Sequence, residues 1–182
     1  MALGATIYKT EINVADTDRH YYGSHSLTVA RHPSEKTERM MVRLIAFAQN
    51  AHEYLAFTKG ISTSDEPDIW LKDLTGAVQQ WIEIGQPTET RLLKACGRAE
   101  KVMVYCHNGH ASRLWWDAAA VKLARVNNLK VVCLPMDGIR ELAADIQRNM
   151  TLHVNIQEQE LFIANDQRQV SLTPAVWRDF GD

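Results

Sequence analysis

The sequence predicts an α/β protein, a mixed β-sheet flanked by helices. Three observations predict it. Stretches that alternate polar and apolar residues stand at both ends of the chain. Short continuous apolar runs, "EKVMVYC" and "LKVVCLP", occur between stretches of helical period in the middle. The order of these segments suits a sheet with helices on both faces, extended by additional N- and C-terminal strands.

Taken in order, "GATIYKTEINVAD" and "SHSLTVAR" alternate on either side of a turn-like "DRHYYGS" and predict a hairpin. "HPSEKTERMMVRLIAFAQNAHEYLAF" changes period. Met41, Leu44, Ile45, Ala48 and Leu55 recur at helical spacing, and Ser34 after Pro33 is a suitable N-cap, so this is expected to be the longest helix. Two strands follow, near Asp68 to Asp73 and near Ala77 to Ile84. "TETRLLKACGRA" predicts a helix capped by Thr88, and "EKVMVYC" a buried strand. "ASRLWWDAAAVKLARV" predicts a helix that stops at Asn127-Asn128. "LKVVCLP" is a second buried strand and "GIRELAADIQ" a short helix. Three strands close the chain, "MTLHVNIQ", "ELFIAND" and "QVSLT", with turns at Glu158-Gln159 and at Asn165-Asp166-Gln167. No repeat, linker or low-complexity tract interrupts the order, and 182 residues suit one domain, 1–182.

Apolar residues make up 46% and charged residues 23%, the balance of a soluble globular domain. A net charge of -2 excludes a strongly basic nucleic-acid binder, so a nucleic-acid partner would need a local basic patch. No apolar run approaches the roughly twenty residues of a membrane span. "MALGATIYKTEINV" lacks an apolar signal-peptide core, and Cys96, Cys106 and Cys133 form no CxxC pair. The expectation is a cytoplasmic protein with reduced thiols.

The stretch "DEPDIWLKDLTGAVQQWIEIGQP" bears most directly on chemistry. Side chains alternate along a strand. In the second strand Val78, Ile82 and Ile84 share one face, and Gln79, Trp81 and Glu83 share the other. In the first, Ile69 and Leu71 oppose Asp68, Trp70 and Lys72. If the strands pair, Asp68 and Glu83 meet. Two converging carboxylates repel unless a cation or a proton lies between them. Mg²⁺, which takes hard oxygen ligands, would suit them and would serve displacement at phosphorus. An ordinary acidic loop beside a sheet is the competing reading.

The strings "LTVARHPSEKTERMMVRLIAFA", "DEPDIWLKD", "WIEIGQP" and "RLLKA", in that order and spacing, resemble the YaeQ family of small bacterial proteins. The likeness runs from "MALGATIYK" through "MTLHVNIQ". That family resembles a variant of the restriction-endonuclease, or PD-(D/E)xK, fold, with a nuclease-like core here from about residue 34 to 106. The resemblance implies a metal-dependent phosphodiester hydrolase acting on nucleic acid. Asp68 and Glu83 would be its catalytic acids and metal ligands, Mg²⁺ the cofactor with Mn²⁺ as a substitute, and Glu38 an accessory acid. The lysine expected two residues after the second acid is Gly85. Lys94 and Lys72 are the candidate replacements. Arg91, Gln86 and Arg39 are candidate substrate-binding residues, and Arg91, Lys94 and Arg98 form a basic stripe at helical spacing. The alternative is a non-catalytic protein of the same fold that binds nucleic acid or another protein, associated with transcription.

Other groups carry weaker signals. Cys106, His107 and His110 in "YCHNGH" lack a fourth zinc ligand and read as a polar loop. In the stretch that holds Arg31, His32, Arg39 and Arg43, Arg39 and Arg43 could touch phosphate and His32 could contact substrate, but a solvated face balanced by Glu35 and Glu38 is the plainer expectation. Trp81, Trp115 and Trp116 read as core or half-core before base-stacking platforms. Cys96 is expected to pack. No Gly-rich phosphate loop or G-x-S-x-G elbow is present.

Overall fold

The computed structural model describes residues 4–59 and 65–182. In chain order these form β1 (Thr6–Asp16), β2 (Tyr21–Arg31), α1 (Thr37–Gln49), β3 (Leu55–Phe57), β4 (Ile69–Lys72) and β5 (Val78–Ile84). There follow α2 (Glu89–Cys96), β6 (Ala99–Cys106), α3 (Gly109–Leu123), β7 (Leu129–Cys133) and α4 (Met136–Ala144). The chain closes with β8 (Asn149–Gln157), β9 (Glu160–Ala164), β10 (Gln169–Leu172) and β11 (Ala175–Arg178). The mixed α/β class is as expected.

The strands make two sheets. The first has the order β10-β9-β8-β1-β2, with β1 and β8 parallel. The second has the order β11-β7-β6-β5-β4-β3, with β5, β6 and β7 parallel. The terminal strands, apart from β11, therefore build a separate sheet and do not extend the central one. Burial explains the division. Ile12, Val14, Leu152, Val154 and Ile156 are buried and alternate with more exposed residues, as in a sheet with one wet face. The runs Val102–Cys106 and Val131–Cys133 are buried continuously, as in strands covered on both sides. Alternation tells which face of a strand is wet but not which sheet the strand joins.

Helix α1 fills the space between the sheets. Every residue from Met40 to Ala48 is buried, the mark of a helix with no solvent face. It packs on α4, β1, β5 and β6. At Gly138 of α4 an added Cβ would collide with Leu172 Cδ2, so only glycine admits this contact with β10. Helices α2 and α3 cover the outer face of the second sheet, where Trp81, Val102 and Val104 meet Leu92, Trp116 and Leu123. The layers are thus sheet, helices, sheet, helices.

Helix α1 is shorter than the sequence implies. It begins at Thr37 with Lys36 at the N-cap and no side-chain cap. Ser34 is diverted to a hydrogen bond of 2.6 Å with the His32 ring, a local alternative to capping. The helix stops at Gln49. Asn50 turns its side-chain amide back to the Ala46 carbonyl and across to the Tyr105 hydroxyl, both at 2.8 Å. Leu55 therefore opens β3 and does not continue the helical face. Helix α3, at 15 residues, is longer than α1 at 13.

Arg39 and Arg43 depart from the expectation of a solvated face. Arg43 is 3% exposed and Glu35 likewise 3%. Arg43 donates to both Glu35 oxygens, Nε to Oε1 at 2.9 Å and Nη2 to Oε2 at 2.7 Å, and Nη2 also reaches the Ala30 carbonyl of β2. Arg39 donates from Nη1 to Glu35 Oε1 and from Nη2 to Asp68 Oδ1, each at 2.8 Å. Its Nη2 also meets the Ile84 carbonyl at 3.2 Å. One chain of charges therefore links β2 of the first sheet, through α1, to β5 of the second. Removing one partner of a buried pair strands the other's charge. Glu35→Ala is expected to cost about 3–5 kcal/mol in denaturant unfolding. The double variant Glu35→Leu/Arg43→Met should recover most of that loss, and a double variant as unstable as the single one would refute this account.

Candidate functional site

Strands β4 and β5 pair with Ile69 opposite Ile82. Asp68 stands just ahead of β4, its N–H donating to the Ile82 carbonyl at 3.1 Å, near Glu83 of β5. Both lie where the parallel strands β5, β6 and β7 end, the side of an open α/β sheet at which ligands usually bind. Asp68 and Glu83 are each 5% exposed. Asp68 Oδ1 accepts from Arg39, and Oδ2 accepts from the Ile84 backbone N–H at 2.8 Å. Glu83 Oε1 accepts from the Trp81 indole N–H and from Arg91 Nε, both at 2.7 Å. Arg91 also donates to the Glu66 carbonyl at 2.6 Å. Each carboxylate thus has its own guanidinium.

Burial raises the Glu83 pKa above its ordinary 4.5, and the Asp68 charge adds to the rise, against the Trp81 and Arg91 hydrogen bonds. Burial alone would lower the Arg39 pKa, but Asp68 and Glu35 outweigh it and the net shift is upward. Arg39 is a permanent cation here.

Gly85, at the position where the resemblance asks for lysine, has φ +105. L side chains rarely adopt that conformation. Its N–H donates to the Tyr105 carbonyl at 2.8 Å, turning the chain off the sheet edge after Ile84. The backbone itself disfavours a lysine there. Lys72 pairs with Val78 at the far end of β5, with its Nζ 3.5 Å from the Trp70 ring centroid. At about 3.3 Å per residue it is roughly 13 Å along the strand from Asp68. Lys94 is exposed on α2 and lines a cleft of about 300 Å³ with Arg91, Arg98, Trp81 and Asp65. Among the described residues neither lysine is hydrogen-bonded or ion-paired to Asp68 or Glu83. Thr88, as expected, caps α2 by accepting from the Arg91 N–H at 3.3 Å.

The remaining candidates surround this strand end. Glu38 is half-buried in the first turn of α1, with Thr37 Oγ1 donating to it at 3.3 Å. Gln86 donates to Ser112 Oγ at 3.1 Å, joining the turn after β5 to α3. The YaeQ family model matches residues 1–174. The chain belongs to the YaeQ family. It is 40% identical over 178 residues to the YaeQ proteins of Escherichia coli strain K12 and Salmonella typhi, covering 98% of both partners in each case. The crystal structure of YaeQ from Xanthomonas axonopodis pv. citri superposes with a TM-score of 0.92 at 44% identity, covering 96% of this chain and 98% of that one. That of YaeQ from Pseudomonas syringae gives 0.92 at 35% identity, covering 98% of both chains.

Near Arg39 lies a further residue that the sequence suggests only as part of an incomplete zinc set. His107 follows β6 directly, and among the described residues its buried Nδ1 has no hydrogen-bond partner. Burial lowers its pKa below 6.5, helped by the nearby Arg39 charge. The useful signal was its position one residue past a parallel strand. Cys106, beside it, pairs in register with Cys133. The hydrogen bond with Cys133 and burial push the Cys106 thiol pKa up. Among the described residues no three or more His, Cys, Asp or Glu side chains converge as a metal site. Magnesium does not fit the carboxylates as they stand. Both Asp68 oxygens and Glu83 Oε1 already accept strong donors, and Arg39 and Arg91 supply the positive charge that an ion would bring. Trp81 and Trp116 are buried core residues and Trp115 is half-buried, its indole donating to the Pro87 carbonyl at 2.8 Å.

Two outcomes follow. Gly85→Lys is expected to lose about 1–3 kcal/mol to backbone strain and to create no metal-dependent cleavage; unchanged stability with new activity would contradict the conformational argument. For Glu83, a folded pKa above 4.5 means its stabilising contribution is fully present below about 4.5 and is lost as pH rises through the folded value. The wild-type chain should therefore lose stability relative to Glu83→Gln across that interval, as read by urea unfolding from pH 4 to 8. A stability difference independent of pH would sink the assignment.

Proposed function

We propose that this chain binds the phosphate backbone of nucleic acid at the α2 cleft without cutting it. The observation that carries the reading is that Arg91, Lys94 and Arg98 all open into one cleft, beside carboxylates already neutralised by arginine. Among the described residues Lys94 and Arg98 have no ion-pair partner, so their charge is available to phosphate. With a net charge of -2, attraction must come from this local patch and not from the whole molecule. Gly85 removes the lysine that hydrolysis in a PD-(D/E)xK-like fold would use.

A second reading, a metal-dependent phosphodiester hydrolase of that fold, is favoured by one observation. A helix carrying Glu38 precedes the paired strands β4 and β5, with Asp68 just ahead of the one and Glu83 near the end of the other. It requires Arg39 to leave Asp68 before a Mg²⁺ could enter.

One experiment separates them. Fluorescently labelled single- and double-stranded DNA and RNA are titrated with purified protein in EDTA, then incubated with Mg²⁺ or Mn²⁺ beside Glu83→Ala. Binding in EDTA without cleavage is the expected result. Lys94→Met/Arg98→Met should weaken it at least tenfold at low salt and flatten the log–log salt dependence by about 0.7 for each single-strand phosphate no longer neutralised. Metal-dependent cleavage that Glu83→Ala abolishes would establish the hydrolase reading. No binding to any of the four polymers would reject both.

A further inference from the structure

A second cavity, of about 400 Å³, lies between the two sheets. It runs along the central sheet from Gln80 and Lys101 near the strand starts to Tyr105 and Val132. The inward face of these strands is apolar through Ile82, Met103, Tyr105 and Val132. At the strand starts the same face turns polar, with Gln80 beside Lys101 and Met103 beside Lys130 in register. Helix α1 has ended at Gln49 by this point, so no helix covers them, and Gln49 and Asn50 form the cavity's wall instead.

Three carboxylates, Asp16, Asp18 and Asp179, and three cations, Arg19, Lys101 and Lys130, line the cavity. Arg19 is paired with Asp16 at 2.6 Å, and Lys130 with Asp179 at 3.0 Å. Asp18 accepts two backbone N–H groups, of Glu158 and Gln159, at 2.8 Å each. Among the described residues Lys101 has no carboxylate within ion-pair distance. The Phe180 ring lies 5.6 Å from Lys101 Nζ and 5.8 Å from Lys130 Nζ, under both ammonium groups. The tail that carries Phe180 is fixed. Arg178, 7% exposed, donates to the Leu123 carbonyl at 2.8 Å and to the Asp182 carbonyl at 2.9 Å, and Gly181 N–H donates to the Asn127 carbonyl at 2.8 Å. Among the described residues Gln49 and Gln80 each keep a buried amide oxygen without a donor, a cost a well-filled core avoids.

We propose that this cavity is a binding site for a small organic anion with a planar apolar body. Its acidic head would meet Lys101 and Lys130, and its body would lie against Phe180, Met103 and Val132. The volume suits a ligand of metabolite size. The head is a carboxylate or a phosphate, and the test distinguishes them.

Phenylacetate serves as the carboxylate probe and adenosine 5′-monophosphate as the phosphate probe, with inorganic phosphate and adenosine as controls for head and body alone. Each is titrated calorimetrically into the full chain. At least one probe should bind at least tenfold more tightly than either control. Lys101→Met should weaken that binding at least tenfold with little change in melting temperature, because Lys101 has no ion pair to lose among the described residues. Lys94→Met/Arg98→Met should leave it unchanged, which separates this cavity from the α2 cleft. Absence of binding by both probes up to 10 mM, or equal binding by Lys101→Met, would overturn the proposal.

Discussion

The structure turns on Glu35. This buried carboxylate stands ahead of α1 and gathers Arg43 and Arg39 onto itself, and Arg39 passes the connection on to Asp68 and the Ile84 carbonyl. Burying ions is expensive unless their remaining hydrogen-bonding capacity is met. Here it is largely met by backbone carbonyls at the ends of β2 and β5. The central helix is thereby held in one register between two sheets whose apolar faces alone would tolerate sliding. Hydrophobic burial supplies most of the cohesion of such a core. The charged chain instead specifies where the helix sits and, through Asp68, ties that choice to the candidate site.

This coupling changes how the two carboxylates are read. Asp68 and Glu83 lie at the same end of the central sheet, close enough for the Asp68 charge to act on Glu83, an arrangement that ordinarily invites a cation. Each has acquired a guanidinium from a different helix, Arg39 from α1 and Arg91 from α2. A guanidinium is always charged and forms several directed hydrogen bonds, so it neutralises a carboxylate without offering a coordination site. The two carboxylates are therefore already charge-compensated by arginine. Lys94, one helical turn beyond Arg91, and Arg98, just past the end of α2, have no ion pair among the described residues and line the cleft. The central sheet carries ion-paired carboxylates where its parallel strands finish, with a basic cleft along α2 beside it and a polar cavity that opens near the strand starts.

Much of this was legible in the chain. The hairpin, the two continuously buried strands and Thr88 as a cap all follow from period and local hydrogen-bonding chemistry. The misreadings have particular causes. Ser34 lost its capping role because His32 competes for its hydroxyl. Leu55 fell at a helical spacing by coincidence, since Asn50 had already ended the helix. Arg39 and Arg43 looked like a solvated face because their spacing from Glu35 is the same for surface pairs and for buried ones. Only a second sheet above the helix makes the difference. Strand β11 and the tail that places Phe180 had no periodic signal at all.

The sequence by itself determined the class of the fold, the order of most of its elements and the family, because these depend on local period and on residue type. The tertiary structure decided which sheet each strand joined, that Glu35 became the buried centre of an ion chain, that Gly85 adopts a positive φ, and that Lys72 and Lys94 stand apart from Asp68 and Glu83. These depend on contacts between residues distant in the chain, where burial sets the strength of every charge interaction.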